Sequence, residues 1–170
     1  MSAIIFALSF GKPDSISSNR AIASIAIKIS LDLDIPIIAD NSISLSSFLY
    51  NVSFIGPPAY EHESTINLAK IFACLPGMKK GKWDKVIIVS APDYMWRAIR
   101  DVKDALRESG VSCEVCDWRD YIDNRLVCDR FYKWYDKNST QLWTRIRLLF
   151  AIREIILKLM PFWLYKKVTT

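Results

Sequence analysis

The chain has 170 residues, of which 51% are hydrophobic and 12% aromatic, which excludes a disordered or low-complexity polypeptide. Its formal charge of +5 is unevenly placed: residues 1–138 balance basic against acidic side chains, and the whole excess falls in residues 139–170. That distribution lacks the broad basic face of nucleic-acid binders, so no nucleic-acid partner is expected.

In chain order, "AIIFALS" predicts a buried strand over 3–9, far short of the roughly 20 apolar residues a membrane span needs. Helical periodicity follows over 17–33, with Ser17 and Ser18 as candidate N-caps. A short apolar run over 34–40 reads as the next strand, and "VSFIGPP" as a short strand stopped by its prolines. Residues 63–75 read as a helix and "MKKGKW" as a solvated break. A strand over 85–90 then runs into a helix over 92–109 closed by Gly110, followed by a strand over 111–117. Residues 118–138 carry no clear periodicity. A long helix is expected from Thr140 to about Met160, halted at Pro161.

Strands of near-continuous hydrophobicity separated by helices define an α/β fold. The expected form is a three-layer, Rossmann-like parallel sheet with helices on both faces and a long C-terminal helix. The chain is expected to form a single domain over 1–170, with 160–170 as a basic, aromatic tail. In such sheets ligands sit outside the carboxyl ends of the strands. Ser9 and Gly11, Asp40 and Asn41, and Ser90 and Asp93 all fall at those ends and are candidate ligand-binding residues.

Several chemistries are unsupported by the motifs. There is no GxGxxG, no P-loop and no GxSxG elbow. Cys113 and Cys116 have CxxC spacing but lie on a predicted strand, where residues three apart face opposite sides, so no metal is expected. Reduced thiols and a cytoplasmic location are the simpler reading. The single histidine, His62, lies in a polar loop and reads as a surface group.

The stretch "VSAPDYMWRA" resembles the signature of the DUF218 family (YdcF/SanA/ElyC-like proteins), a strand running into Thr-Ser-x-x-His-x-x-Arg-Ala. Ser90 takes the threonine position, Ala91 the serine and Tyr94 the histidine, while Arg97 and Ala98 are retained. "STINLA" (Ser64, Asn67), "NRAIAS" (Arg20) and "FAIREII" (Arg153, Glu154) resemble further stretches of that family in the same order. The resemblance implies a Rossmann-like fold and a divergent soluble member without the N-terminal anchor that some members carry. It also implies a pocket for an anionic nucleotide-like or S-adenosylmethionine-like ligand and a link to bacterial envelope biogenesis. Tyr94 in place of the histidine is a poor general base at neutral pH, which favours binding over turnover.

On a helical wheel of the last helix, Arg147, Glu154 and Lys158 are expected on a solvated face. Arg145 and Arg153 fall among apolar residues, on the side expected to pack. Inward arginines need a carboxylate or an anion, and Arg153 is therefore added to the candidate site with Arg97 and Arg20. The tail "FWLYKKVTT" is expected to pack on its own domain or on a second copy as a homodimer. Its two lysines alone do not support stable membrane contact. Two other readings stand beside small-molecule binding. One is an enzyme acting on a phosphorylated or nucleotide-linked molecule, with Asp40 or Asp93 as acid/base. The other is a peripheral membrane or envelope-assembly partner acting through the basic tail.

Overall fold

A computed structural model describes residues 2–45, 51–56, 63–122 and 133–169. His62 and Cys128 lie outside the described residues, as do the rest of 46–50, 57–62 and 123–132. Five strands, β1 (Ala3–Ala7), β2 (Ile37–Asp40), β3 (Val52–Ile55), β4 (Lys85–Val89) and β5 (Glu114–Asp117), form one parallel sheet in the order β3-β2-β1-β4-β5. Ile5 stands opposite both Ile37 of β2 and Ile87 of β4, so β1 is the central strand. The apolar runs of β1, β2 and β4 are the sequence consequence of burial on both faces.

The chain leaves β1 towards β2 through α1 (Ser17–Leu33) and later runs from β3 towards β5 through α2 (Thr65–Ala73) and α4 (Met95–Glu108). Right-handed crossovers in opposite directions put α1 on one face and α2 with α4 on the other. The Phe6 and Phe72 rings, 4.3 Å apart and nearly parallel, seat α2 on β1. This is the expected Rossmann-like α/β architecture.

Local details depart from the expected boundaries. Asp34 ends α1 in a left-handed turn (φ 52°), so β2 begins at Ile37 rather than at residue 34. Neither Ser17 nor Ser18 caps α1 through its side chain. Asp136 reaches in from far along the chain and accepts from the Ser17 N–H at 3.0 Å. The expected break after α2 contains a short helix, α3 (Pro76–Lys79), whose Met78 is buried. Gly110, at φ 68°, follows α4 as expected.

The long C-terminal helix is split. A single turn of 3-10 helix covers Leu142–Thr144, Ile146 is extended, and α5 starts only at Arg147, running to Leu159. Local side-chain bonds compete with a helix here: Arg145 Nε donates to the Ser139 carbonyl at 2.6 Å, and Ser139 and Thr144 share a hydroxyl hydrogen bond of 2.6 Å. After Pro161 the tail forms α6 (Phe162–Thr169). It docks on α4, with the Tyr165 hydroxyl donating to Asp101 at 2.5 Å, Arg100 over the Tyr165 ring at 3.8 Å, and Lys166 between Asp104 and Glu108.

Asp101 is buried, and desolvation lifts its carboxyl above the ordinary carboxylate range. A raised folded-state value means the native state holds this proton longer than the unfolded chain. The contribution of Asp101 is therefore greatest at low pH and declines as pH rises from about 3.8 through the raised value. Asp101→Asn should remove that decline, read as a flatter dependence of the urea midpoint on pH above 4. An unchanged profile in the variant would contradict this assignment.

Candidate functional site

The strand order reverses between β1 and β4, which opens a crevice at their carboxyl ends. A cavity of about 790 Å³ occupies this position. Its floor is the loop after β1 (Leu8 to Lys12) together with Tyr94 and Arg97 of the turn and helix after β4. Glu63, Ser64 and Thr65 at the start of α2 form one side, and Leu142–Thr144, α5 and α6 form the other.

The loop after β1 is held in place by Asn19, a fully buried side chain in the first turn of α1. Its Oδ1 accepts from the Phe10 N–H at 2.9 Å, and its Nδ2 donates to the carbonyls of Gly11 and Pro13. Phe10, immediately after the rim, meets Phe150 of α5 edge-on at 4.9 Å and Tyr135 at 5.6 Å, which fixes α5 across the crevice. Sequence reasoning missed Asn19. Asn19 stands among Ser17, Ser18 and Arg20 in a polar first turn, so nothing in the local pattern set it apart.

Gly11 sits at φ 90°, where a Cβ would approach Ser139 Oγ at 2.6 Å and Thr144 Oγ1 at 2.7 Å. Its smallness serves the packing of the 139–144 segment over the loop. Gly11→Ala should cost about 1–3 kcal/mol through the backbone conformation and the displaced hydroxyl pair. Denaturant melts check this, and a cost below about 0.5 kcal/mol would contradict the packing.

The electrostatic centre of the site is a buried triad. Arg97 Nη1 lies 3.2 Å from Glu154 Oε1, and Arg153 Nη1 lies 3.0 Å from the same oxygen. The Arg97 and Glu154 side chains are only 8% and 7% exposed, so this pair is shielded from water while Arg153 reaches the same carboxylate from a part-exposed position. Arg97 also stacks over the Tyr94 ring at 4.4 Å, and its buried Nε has no hydrogen-bond partner. Burial, together with the neighbouring Arg97 charge, holds Arg153 below the usual arginine range. Burial pushes the Glu154 carboxyl up against the pull of both arginines, and it likewise raises the Tyr94 phenol. Tyr94 is therefore a neutral hydrogen-bonding group.

Of the twelve residues singled out from sequence, the cavity brings together Ser9, Gly11, Ser64, Tyr94, Arg97 and Arg153. The others lie outside its lining. Arg20 is exposed on α1, away from the cavity. Asp40 is buried between strand ends, accepting from the Ser9 hydroxyl and from the Ser42 N–H at 3.0 Å. Asn41 Nδ2 donates to the Gly56 carbonyl at 2.6 Å, and Asn67 Nδ2 donates to Glu63 at 2.6 Å. Ser90 is fully buried, with its hydroxyl on the Leu8 carbonyl and its own carbonyl accepting from Trp118 Nε1 at 2.9 Å. Asp93 makes no intrahelical pair with Arg97. It accepts from the Tyr135 hydroxyl at 2.7 Å and pairs with Arg147 at 3.2 Å, in a separate cleft of about 280 Å³.

The wheel reading of α5 is corrected in the same way. Glu154, expected on a solvated face, is buried because its carboxylate is the counter-ion of Arg97. Arg145, expected to face inward, is exposed. Lys12 is the cationic cavity residue that sequence reading did not single out. Among the described residues no cluster of His, Cys, Asp or Glu has the arrangement of a metal site. No family model, curated protein or solved structure matches this chain.

Proposed function

We propose that this chain is a small-molecule-binding protein whose crevice between β1 and β4 holds the anionic group of a nucleotide-like or S-adenosylmethionine-like ligand. The observation that carries this reading is the charge imbalance of the cavity. Arg97 and Arg153 both line it and share a single oxygen of Glu154, and Arg97 Nε is buried without a hydrogen-bond partner. A phosphate or carboxylate beside Arg97 and Arg153 supplies the missing negative charge and accepts planar, charge-assisted hydrogen bonds. The carboxylate among the lining residues, Glu63, stands on the opposite side at the start of α2, where it accepts from the Ser64 N–H at 3.1 Å and from Asn67.

The likeness to the DUF218 family, with its link to envelope biogenesis, is part of this proposal. It rests on the Arg97-Ala98 frame and on Arg153-Glu154. The enzymatic alternative loses its named acid/base groups, because neither Asp40 nor Asp93 lines the cavity.

A thermal-shift panel of nucleotides, S-adenosylmethionine, nucleotide-sugars and sugar phosphates tests the reading. A ligand at 100 times its dissociation constant adds about 2.7 kcal/mol. The expected result is stabilisation by one class of anion, reduced in Arg153→Gln, a change at a part-exposed side chain. An unresponsive melting temperature across the panel would contradict it.

A further inference from the structure

The outward face of α5 is apolar. Phe150, Glu154 and Leu157 pack inward. Leu148, Ile152, Ile155 and Leu159, spaced four, three and four residues apart, form a stripe on the opposite side of the helix. Leu148 is 67% and Leu159 81% exposed, although both are leucines on a well-formed helix. Leu142, Trp143 and Val168 are also exposed, and with Ile152 and Ile156 they line the outer part of the cavity. The apolar surface is thus continuous from the stripe to the cavity mouth, an exposed patch of the kind that marks an interaction site.

Charge decides what covers it. Residues 139–170 contain six basic side chains and one acidic one, and the acidic one is the buried Glu154. Lys158 on α5, Arg145 just before that helix and Lys167 on α6 are exposed near the stripe, and Arg147, also exposed, pairs with Asp93 at 3.2 Å. Pairing with a second copy through a two-fold axis would bring two patches of the same positive sign together. An anionic lipid surface takes the leucine and isoleucine side chains at its acyl boundary and the cations at its headgroups. Trp143 suits that boundary as an amphipathic ring. No described helix is long and apolar enough to cross a membrane.

We infer that the outer face of α5 docks the protein onto an anionic membrane surface, with the cavity mouth turned towards the lipid. The inference rests on the helix face and its charges and does not depend on the cavity holding a nucleotide-like ligand.

The test is vesicle flotation of the full chain with phosphatidylcholine alone and with phosphatidylcholine mixed with phosphatidylglycerol. Leu148→Glu/Leu159→Glu is run alongside, since both positions are exposed and outside the cavity. The expected result is flotation with the anionic vesicles only, weakening as ionic strength rises from about 0.05 to about 0.5 M. Partitioning should fall about tenfold or more in the double variant at an unchanged melting temperature. No flotation with anionic vesicles would overturn the inference, as would equal flotation of the double variant. A solution dimer that becomes monomeric in the double variant would assign the face to a second copy and overturn it too.

Discussion

Replacing Arg97 by alanine is expected to destabilise the protein by about 3–5 kcal/mol, the cost of leaving a buried charge without its partner. The change removes the guanidinium 3.2 Å from Glu154, the ring contact with Tyr94 and the link that ties α4 to α5. Arg153 still neutralises Glu154 in part, since it contacts the same oxygen from a more exposed position. The double variant Arg97→Met/Glu154→Leu should recover much of the loss, because apolar residues of similar volume need no counter-ion. Urea unfolding of the two variants checks this. A single variant within about 0.5 kcal/mol of the parent would show that the triad is not a buried unit.

A second large effect is expected at Trp118. This ring is almost wholly buried just after β5, its Nε1–H donates to the Ser90 carbonyl at 2.9 Å, and it lies 6.4 Å from the Trp134 ring. Trp118→Ala removes the largest fully buried side chain and leaves that carbonyl unpaired, at a cost of about 3–5 kcal/mol. Trp118→Phe keeps most of the volume and loses the hydrogen bond, so its cost should be nearer 1–2 kcal/mol. Equal costs for the two would mean that the hydrogen bond, not the packing, dominates. Ser90 would gain from this a structural role in place of the ligand role its position suggested.

The parts of this fold that are local in sequence were the legible ones. Strands buried on both faces leave continuous apolar runs, and α1 and α4 carry clear periodicity, so the parallel sheet follows from pattern alone. The split near Ile146 was hidden, because it depends on Ser139, Thr144 and Arg145 bonding to one another and to backbone. The site divides along the same line. Arg97 and Arg153 stand out as arginines among apolar neighbours. Their shared carboxylate did not, because a helical wheel assigns Glu154 to water when the apolar stripe is assumed to face inward. The tertiary contact reverses that assumption: Glu154 follows Arg97 into the protein, and the isoleucines and leucines are left outside. Strand-end position alone does not separate cavity lining from strand-end bonding: Asp40, Asn41 and Ser90 use their side chains to join neighbouring strand ends.

The most direct test of an anion-binding crevice is calorimetric titration of pyrophosphate into the parent protein and into Arg153→Gln. Saturable binding to one site, weakened about tenfold or more in the variant by loss of a charge-assisted hydrogen bond, is the predicted result. Absence of saturable binding, or identical affinity in the two proteins, would contradict it.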